Sequence, residues 1–278
     1  MKSVVEYKEG KPQIKRAETF CSLLGNQIPS KSVFFDALLK EMDQLIRKEH
    51  PKVTTGALSN CHGDLYEWLI SVQANNYAVV NGSTKLLLQL PNISQFDVIS
   101  LYSETLFNHI VDLRAKISSS SDVSLISSNP DFVIIDIADM ELDIPNLEVI
   151  DEITPEVITK LQDTYKLFRG QCSFENISGY LSVKTSLRPD RRLQISHEGS
   201  LMKALYVHLQ NREWIINPVG IKYFAAATSI SEADRKGLKT VATHSITNVQ
   251  SIPEAAVDEV YLLNTVDDSI AVFNEILA

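Results

Sequence analysis

Residues Phe132 to Ile137, FVIIDI, form the stretch that most limits how this chain can fold. A short run dominated by β-branched side chains is typical of a central β-strand that is covered on both faces. Helical spacing of apolar residues in Ser32–Lys48, and again in LYEWLISVQAN from Leu65, supplies elements that can cover such a strand. We therefore predict an α/β fold in which helices flank both faces of a central mixed β-sheet.

The same kinds of pattern predict further strands and helices along the chain. Strands are predicted at Lys85–Leu90, Tyr180–Ser186, Tyr223–Ser229 and Leu238–Ile246. Two helices are predicted near the C-terminus, at Pro253–Leu263 and Asp267–Leu277. No segment rich in Pro, Gly or Ser divides the 278 residues, so we predict a single domain over residues 1–278.

Charge, cysteine content and the N-terminal segment limit the functional class. The 35 acidic and 26 basic residues give a net charge of −9, which argues against indiscriminate coating of polyanions. Three widely spaced cysteines indicate neither a disulfide framework nor paired zinc ligands. The segment MKSVVEYKEGKPQIKR lacks the apolar core of a secretory signal, and no apolar run is long enough to span a membrane. We predict a cytoplasmic protein that has no membrane partner.

The segment GYLSVKTSLRPDRRLQISHEGSLMKAL, residues 179–205, combines a strand, a basic turn and a helix that carries an acid. Alternation along the strand puts Ser182 and Lys184 on the same face. Pro189 ends the strand, so the residues around it are predicted to form an exposed turn. In the helix that follows, the spacing of the leucines directs Glu198 inward.

The predicted turn carries Arg188, Asp190, Arg191 and Arg192, close to Lys184 in sequence. Guanidinium groups match phosphates or the O6/N7 edge of guanine, lysine can hold a phosphoryl oxygen, and carboxylates can hold a divalent cation. Taken alone, the lysine could be a strand residue that reaches solvent, and the arginines could be a solvated turn. Together they favour a phosphate ester as the substrate.

Two more acids complete a constellation of candidate catalytic residues. Asp131 precedes the strand that starts at Phe132, and Glu67 lies within the apolar helical segment LYEWLISVQAN. An aspartate before a strand is by itself a common turn residue. The joint set, however, resembles the active site of PD-(D/E)XK nucleases, in which an aspartate that opens one strand and an acid-x-lysine on the next hold magnesium at a scissile phosphate. Ser182 departs from that pattern, because it stands where the second acid belongs.

The departure matches one subgroup of these nucleases. The segments NPDFVIID, LSVKTSLRPDRRLQ, HEGSLMKALYVHLQ and KTVATHSIT resemble the tetrameric type II restriction endonucleases that cut purine-CCGG-pyrimidine sites. In that family a glutamate on the following helix supplies the missing acid, and Glu198, fourteen positions after Lys184, fits that place. The resemblance extends over most of the chain from Cys61 to Val260, and it is weakest between Ala138 and Ser178.

The resemblance implies a role for each residue of the constellation. Asp131 and Glu198 would ligate Mg²⁺, and Lys184 would contact the scissile phosphate and the attacking water. Ser182 would line the site, and Glu67 would be an auxiliary acid.

The resemblance also implies how double-stranded DNA is read. Arg188, Asp190 and Arg191 would contact the central CCGG in the major groove, since arginine suits guanine O6/N7 and aspartate accepts from cytosine N4. Arg192 is equally suited to a backbone phosphate. The implied enzyme is bacterial and cuts before the first C, which leaves 5′ overhangs and 5′-phosphate ends.

A homo-oligomer follows from the same resemblance. Enzymes of this kind assemble as dimers of dimers, and Arg212 and Trp214 are candidates for the contact within the tetramer. An exposed tryptophan is a typical interface residue, although burial in a core is its more common fate.

Two alternatives remain open from the sequence. A hydrolase could use Ser182 as a nucleophile activated by Lys184. That alternative lacks a Gly-x-Ser-x-Gly elbow and gives the arginine-rich turn no role. A sequence-specific DNA-binding protein without cleavage activity would keep RPDRR but has no need for Asp131, Lys184 and Glu198 together.

Overall fold

The computed structural model describes residues 5–93, 95–120, 122–125, 129–141, 147–247 and 252–278. The strands are β1 (Val5–Lys8), β2 (Lys11–Ile14), β3 (Lys85–Gln89), β4 (Phe132–Asp136), β5 (Ile177–Lys184), β6 (Lys222–Ala227) and β7 (Glu259–Leu262). The α-helices are α1 (Arg16–Leu24), α2 (Phe35–Glu49), α3 (Thr55–Asn81), α4 (Glu104–Ser120), α5 (Pro155–Asp163), α6 (Pro189–Arg212), α7 (Glu232–Leu238) and α8 (Val266–Ile276). Short 3₁₀ helices lie at Val98–Leu101, Thr164–Phe168 and Thr243–Thr247.

The central sheet has five strands in the order β3-β4-β5-β6-β7. Strands β3, β4 and β5 pair antiparallel, whereas β5, β6 and β7 pair parallel. Strands β1 and β2 form a separate antiparallel hairpin. The predicted mixed sheet is therefore confirmed.

Strand β4 is buried on both faces of the sheet. Phe132 and Ile134 pack in one apolar cluster with side chains of α1, α2, α3 and α8. Val133 and Ile135 pack in the other cluster, to which α4 and α6 contribute. The prediction of a doubly covered central strand is correct, and helices flank both faces of the sheet. The single-domain organisation stays a prediction, which is favoured by the burial of α1 and α2 in a cluster that also contains sheet residues.

The start of α6 differs from the sequence prediction. The helix expected after an exposed turn begins at Pro189, directly after its N-cap residue Arg188. Proline suits the first helical position because its fixed φ is helical and the missing N–H would have no partner there. The same proline thus ends the strand region and starts the helix. Asp190, Arg191 and Arg192 lie in the first helical turn, so the predicted exposed turn is wrong for them.

Two predictions near the C-terminus are also wrong. Leu238–Ile246 is not a strand, since Val241 makes only an isolated bridge with Ala255 and a 3₁₀ helix follows. Pro253–Leu263 is not a helix, because it contains β7. Parallel pairing with β6 determines the structure of β7, and that tertiary contact overrides the local helical spacing.

Candidate active site

Asp131 connects the two central strands at one end of the sheet. It lies immediately before β4, and its Oδ2 accepts hydrogen bonds from the C-terminal end of β5. The donors are Ser182 Oγ at 3.0 Å, the backbone N of Val183 at 2.7 Å and Lys184 Nζ at 2.7 Å. The structure therefore brings together three of the predicted site residues, and Ser182 and Lys184 share a face as strand alternation predicts.

Lys184 forms an almost buried ion pair with Asp131. Burial lowers the pKa of Lys184, but the charge and hydrogen bond of Asp131, together with the charges of Glu198 and Glu67, raise that pKa above its ordinary value on balance. The lysine is therefore an ammonium group at neutral pH. Its chemistry here is that of a positioned cation and hydrogen-bond donor.

Glu198 projects from α6 toward the same end of the sheet and is only 2% exposed. Its Oε2 accepts a hydrogen bond from Tyr223 Oη at 2.8 Å, and its Oε1 accepts one from Gln194 Nε2 at 3.0 Å. Its negative charge raises the pKa of Lys184, so the two side chains lie within electrostatic reach of each other. A carboxylate from the helix thus stands close to the strand on which Ser182 replaces the second acid.

Glu67 reaches the site from α3. Burial, and the nearby charge of Asp131, raise its pKa to about 8 against the opposing effect of a hydrogen bond from Gln89. That bond joins Gln89 Nε2 to Glu67 Oε2 at 2.8 Å, and Ser71 Oγ donates to Gln89 Oε1 at 3.3 Å. Glu67 is therefore held as a neutral carboxyl group around pH 7 when no cation is bound.

A cleft of about 300 Å³ opens beside these groups, and Glu67, Asp131, Lys184 and Arg191 line it. Further polar residues that were not predicted site residues also line the cleft, among them Arg16, Ser59, Asn60, Asp64 and Asn92. The ion pair between Arg16 and Asp64 joins α1 to α3 at the cleft. Asp64 lies three positions before Glu67 on the same helix, so local spacing indicates it, whereas only tertiary packing brings Arg16 and Asn92 to the cleft.

The residues predicted to read DNA lie at the start of α6, and they differ in side-chain exposure and in ion pairing. The side chains of Arg188 and Asp190 are 63% and 67% exposed, and they form a loose ion pair at 3.4 Å. Arg192 Nη1 instead donates to Asp234 Oδ1 at 2.8 Å. Any phosphate contact of Arg192 would therefore share its guanidinium with that carboxylate.

Arg212 and Trp214 lie at the opposite end of α6, on the order of 35 Å from Pro189 along a helix of this length. Arg212 pairs with Asp112 at 2.7 Å. Trp214 is 87% exposed and has a positive φ of 57°, which is rare for a bulky residue. The residues predicted to read DNA and the candidate interface residues thus lie at opposite ends of one helix.

The carboxylates of Asp131 and Glu198 are suitable ligands for a hard divalent cation. Within the residues that the structure describes, no cluster of three or more His, Cys, Asp or Glu side chains forms an all-protein metal cage. Mg²⁺ usually binds to one or two carboxylates and completes its shell with waters and substrate phosphate oxygens. Asp131 lines the cleft, whereas Glu198 is not among the residues that line it and stands buried within electrostatic reach of Lys184. Two oxygen-donor side chains at this end of the sheet fit that manner of binding.

Comparison with known proteins agrees with this geometry. Residues 2–278 match the family described as Cfr10I/Bse634I restriction endonuclease. The type II restriction enzyme Cfr10I of Citrobacter freundii is 47% identical over 230 residues, which cover 82% of this chain and 80% of that protein. The crystal structure of the type IIF restriction endonuclease Bse634I with cognate DNA matches with a TM-score of 0.89 at 32% identity, over 99% of this chain and 97% of that chain. A second structure of the Bse634I restriction endonuclease matches with a TM-score of 0.87 at 31% identity, over 98% and 96% of the two chains. The chain therefore belongs to the Cfr10I/Bse634I restriction endonuclease family and is a type II restriction enzyme.

Proposed function

We propose that this enzyme hydrolyses both strands of double-stranded DNA at palindromic purine-CCGG-pyrimidine sites. Cleavage before the first C would leave 5′ overhangs with 5′-phosphate ends. The observation that carries the proposal is the set of three hydrogen bonds that Asp131 Oδ2 accepts from the end of β5, close to the buried carboxylate of Glu198. The same helix that carries Glu198 begins with the exposed pair Arg188 and Asp190.

Membership of the family implies a divalent metal cofactor, and we assign Mg²⁺ to this role. Asp131 and Glu198 would hold the cation, since both are carboxylates at the same end of the sheet. When bound, a divalent cation supplies charge neutralisation at the phosphate and a more acidic water. Lys184 would hold a phosphoryl oxygen and orient the attacking water with its ammonium group. Glu67 would act as an auxiliary acid at the edge of the cleft.

Ser182 supports the site without taking part as a nucleophile. Its side chain is fully buried, and its hydroxyl donates to Asp131. A nucleophilic serine needs access to the substrate and an adjacent base that is neutral. Lys184 has a raised pKa and is paired with Asp131, so it is a poor base. These contacts disfavour the serine-lysine hydrolase alternative.

Reading of the CCGG core is proposed for the N-terminal turn of α6. Arg188 and Arg191 would donate to guanine O6 and N7, and Asp190 would accept from cytosine N4. The high exposure of Arg188 and Asp190 supports this role, because base edges are then reachable without repacking of the helix. Arg191 lines the catalytic cleft and would connect base reading to the scissile phosphate.

A palindromic site calls for a twofold dimer in which each subunit reads one half-site and cuts one strand.

We further propose that two dimers associate through the end of α6, with Trp214 and Arg212 in the contact. Trp214, Ile216 and Val219 are each 87% exposed within six residues, and an apolar patch of this kind is typical of an interface. None of the described helices has the length and hydrophobicity of a bilayer span. We place the enzyme in the bacterial cytoplasm.

Digestion of a plasmid of known sequence tests the proposed activity. The purified protein is incubated with Mg²⁺ beside an EDTA control, and every cut end is mapped by sequencing. Metal-dependent cuts before the first C of purine-CCGG-pyrimidine sites are expected. Intact DNA, with selective retention of a CCGG duplex in a gel shift, would contradict cleavage and favour a DNA-binding protein that does not cut. Cuts at other sequences would overturn the proposed specificity.

A further inference from the structure

The carboxylate of Glu198 is held at both oxygens by side chains that were not among the predicted site residues. Tyr223 Oη donates to Oε2 at 2.8 Å, and Gln194 Nε2 donates to Oε1 at 3.0 Å. A buried carboxylate needs such donors to replace the water it loses. The two donors come from different elements, because Tyr223 lies on β6 and Gln194 lies on α6 itself.

Tyr223 is fixed in the core beneath the site. It is fully buried, and in the parallel pairing of β5 with β6 it stands opposite Tyr180. Two residues further along β5, Ser182 donates its one hydroxyl hydrogen to Asp131, while Tyr223 donates its one hydroxyl hydrogen to Glu198. Two neighbouring buried hydroxyl groups thus hold one carboxylate each, Ser182 the strand carboxylate and Tyr223 the helix carboxylate.

Close packing of α6 against β6 supports the same arrangement. A Cβ atom on Gly199, the residue after Glu198, would overlap the carbonyl oxygen of Ala256 and lie 3.0 Å from Cδ1 of Tyr223. Only glycine therefore allows the helix to approach the backbone of Ala256 and the ring of Tyr223 this closely. The approach places the hydroxyl of Tyr223 within hydrogen-bonding distance of Glu198.

Gln194 links the same carboxylate to the DNA-reading end of the helix. It lies one turn after Asp190 and one turn before Glu198, and residues four apart share a helical face. Gln194 is exposed, whereas Glu198 is buried. Gln194 therefore lies between Asp190 and Glu198 along one face of α6, and its side chain bonds to Glu198.

On the basis of the proposed metal-binding role of Glu198, we propose that Tyr223 and Gln194 are positioning residues that fix its carboxylate in the geometry needed to bind the cation. A carboxylate that comes from a helix lacks the orientation that a strand backbone would impose. Tyr223 supplies that orientation from the sheet, and Gln194 supplies it from the side of the helix that faces DNA. Loss of a hydrogen bond to a metal ligand typically costs roughly 10- to 100-fold in metal affinity or activity.

Tyr223→Phe tests the first donor, because it removes one hydroxyl and keeps the ring. Tyr180→Phe is the matched control, since Tyr180 is a buried tyrosine on the neighbouring strand whose hydroxyl bonds to Tyr102 outside the site. The cleavage rate of a CCGG duplex is measured against Mg²⁺ concentration. DNA affinity is measured separately by fluorescence anisotropy without metal and with increasing Ca²⁺, which reports metal binding without relying on turnover.

Tyr223→Phe is expected to raise the half-saturating Mg²⁺ concentration roughly 10- to 100-fold and to weaken the effect of Ca²⁺ on DNA affinity by a similar factor. Metal-free affinity for the CCGG duplex is expected to stay unchanged. Tyr180→Phe is expected to match the wild type in both titrations. Equal metal dependence of the wild type and Tyr223→Phe would overturn the role of Tyr223.

Gln194→Ala tests the second donor. Because Gln194 is exposed, this substitution does not disturb the core, as a substitution of the buried Tyr223 could. Gln210→Ala on the same helix is its control, since Gln210 bonds to the backbone of Ile215 at the far end of α6. A half-saturating Mg²⁺ concentration that is several-fold higher in Gln194→Ala, but unchanged in Gln210→Ala, supports the inference. Identical metal titrations for the two variants would overturn the role of Gln194. A wild-type protein that does not cut DNA would instead refute the proposed function.

Discussion

Asp131 and Lys184 form an ion pair with 2.7 Å between Oδ2 and Nζ, although 53 positions separate them in the chain. The same Oδ2 also accepts from Ser182 and from the backbone of Val183, so its place is determined by β5 alone. Antiparallel pairing of β4 with β5 brings these groups together. The core of the site is therefore assembled by the sheet, whereas Glu198 and Glu67 approach it from helices on opposite faces.

Lys184→Ala is expected to reduce the single-turnover cleavage rate by at least about 10²-fold, the usual effect of removing one charge-stabilising donor. Specific DNA binding should persist, because the proposed contact of Lys184 is with the phosphate and not with the bases. Cleavage and gel-shift assays on one CCGG duplex check both expectations. Lys239→Ala, which breaks an exposed ion pair with Glu259, is the control. A near-normal rate for Lys184→Ala would contradict its proposed role.

Arg188→Ala is expected to weaken binding to a CCGG duplex by about 1–3 kcal/mol, the usual worth of a bidentate base contact. Binding to a duplex with a mismatched core should change much less, so the preference for the cognate site falls. Arg47→Ala controls for the lost positive charge, since Arg47 bonds to Thr55 and lies on α2. If the ratio of the two affinities stayed at the wild-type value, Arg188 would not be a reading residue.

Glu67→Gln is expected to change how stability depends on pH when metal is absent. The pKa of Glu67 is raised from 4.5 to about 8 in the folded protein, chiefly by burial. Between these two values the folded state binds more protons than the unfolded state, so the free energy of unfolding falls as pH rises through this window. The stabilisation is fully present at the acidic end and lost toward pH 8.

Glutamine cannot titrate, so the wild type should lose stability relative to Glu67→Gln between about pH 5 and pH 8. Urea unfolding in EDTA at several pH values across this range measures the difference. A constant difference between the two proteins over the range would show that the carboxyl group of Glu67 does not titrate there.

Trp214→Ala is expected to convert the proposed tetramer into dimers while leaving the residues of the candidate active site unchanged. The reason is that Trp214 is the most exposed aromatic side chain in the described part of the chain and lies beside Ile216 and Val219. Sedimentation equilibrium distinguishes two from four chain masses. Phe34→Ala, which removes another exposed aromatic side chain, should leave the mass unchanged. An unchanged mass for Trp214→Ala would place the tetramer contact elsewhere.

Much of the fold and the strand part of the site could be predicted from local patterns. The continuous apolar run at β4 and the alternation along β5 depend only on neighbouring residues, and both predictions are correct. The start of α6 was misplaced because Pro189 was interpreted only as the end of a strand, although proline also suits the first position of a helix. With Asp190 in the first turn, that helix start was recognisable from the sequence.

The parts that could not be predicted depend on pairing between distant segments. Tyr223 lies beside Glu198 only because β6 pairs in parallel with β5 in a register that the sequence does not specify. Arg16 reaches the cleft only because α1 packs on α3. The local pattern of Pro253–Leu263 predicts a helix, because the pairing of β7 with β6 leaves no trace in that pattern.

Glu198 is proposed to supply the second carboxylate of the site, in place of the acid whose position Ser182 occupies. Glu198→Gln tests this proposal most directly, because it keeps the shape of the side chain and removes the charge; Glu259→Gln is the control. Single-turnover cleavage in Mg²⁺ and Ca²⁺-dependent DNA binding are measured on one CCGG duplex. We predict that Glu198→Gln loses both cleavage in Mg²⁺ and the Ca²⁺ dependence of DNA binding, while it still binds the CCGG duplex specifically without metal. Cleavage by Glu198→Gln at a near wild-type rate, with unchanged Ca²⁺ dependence, would contradict the account.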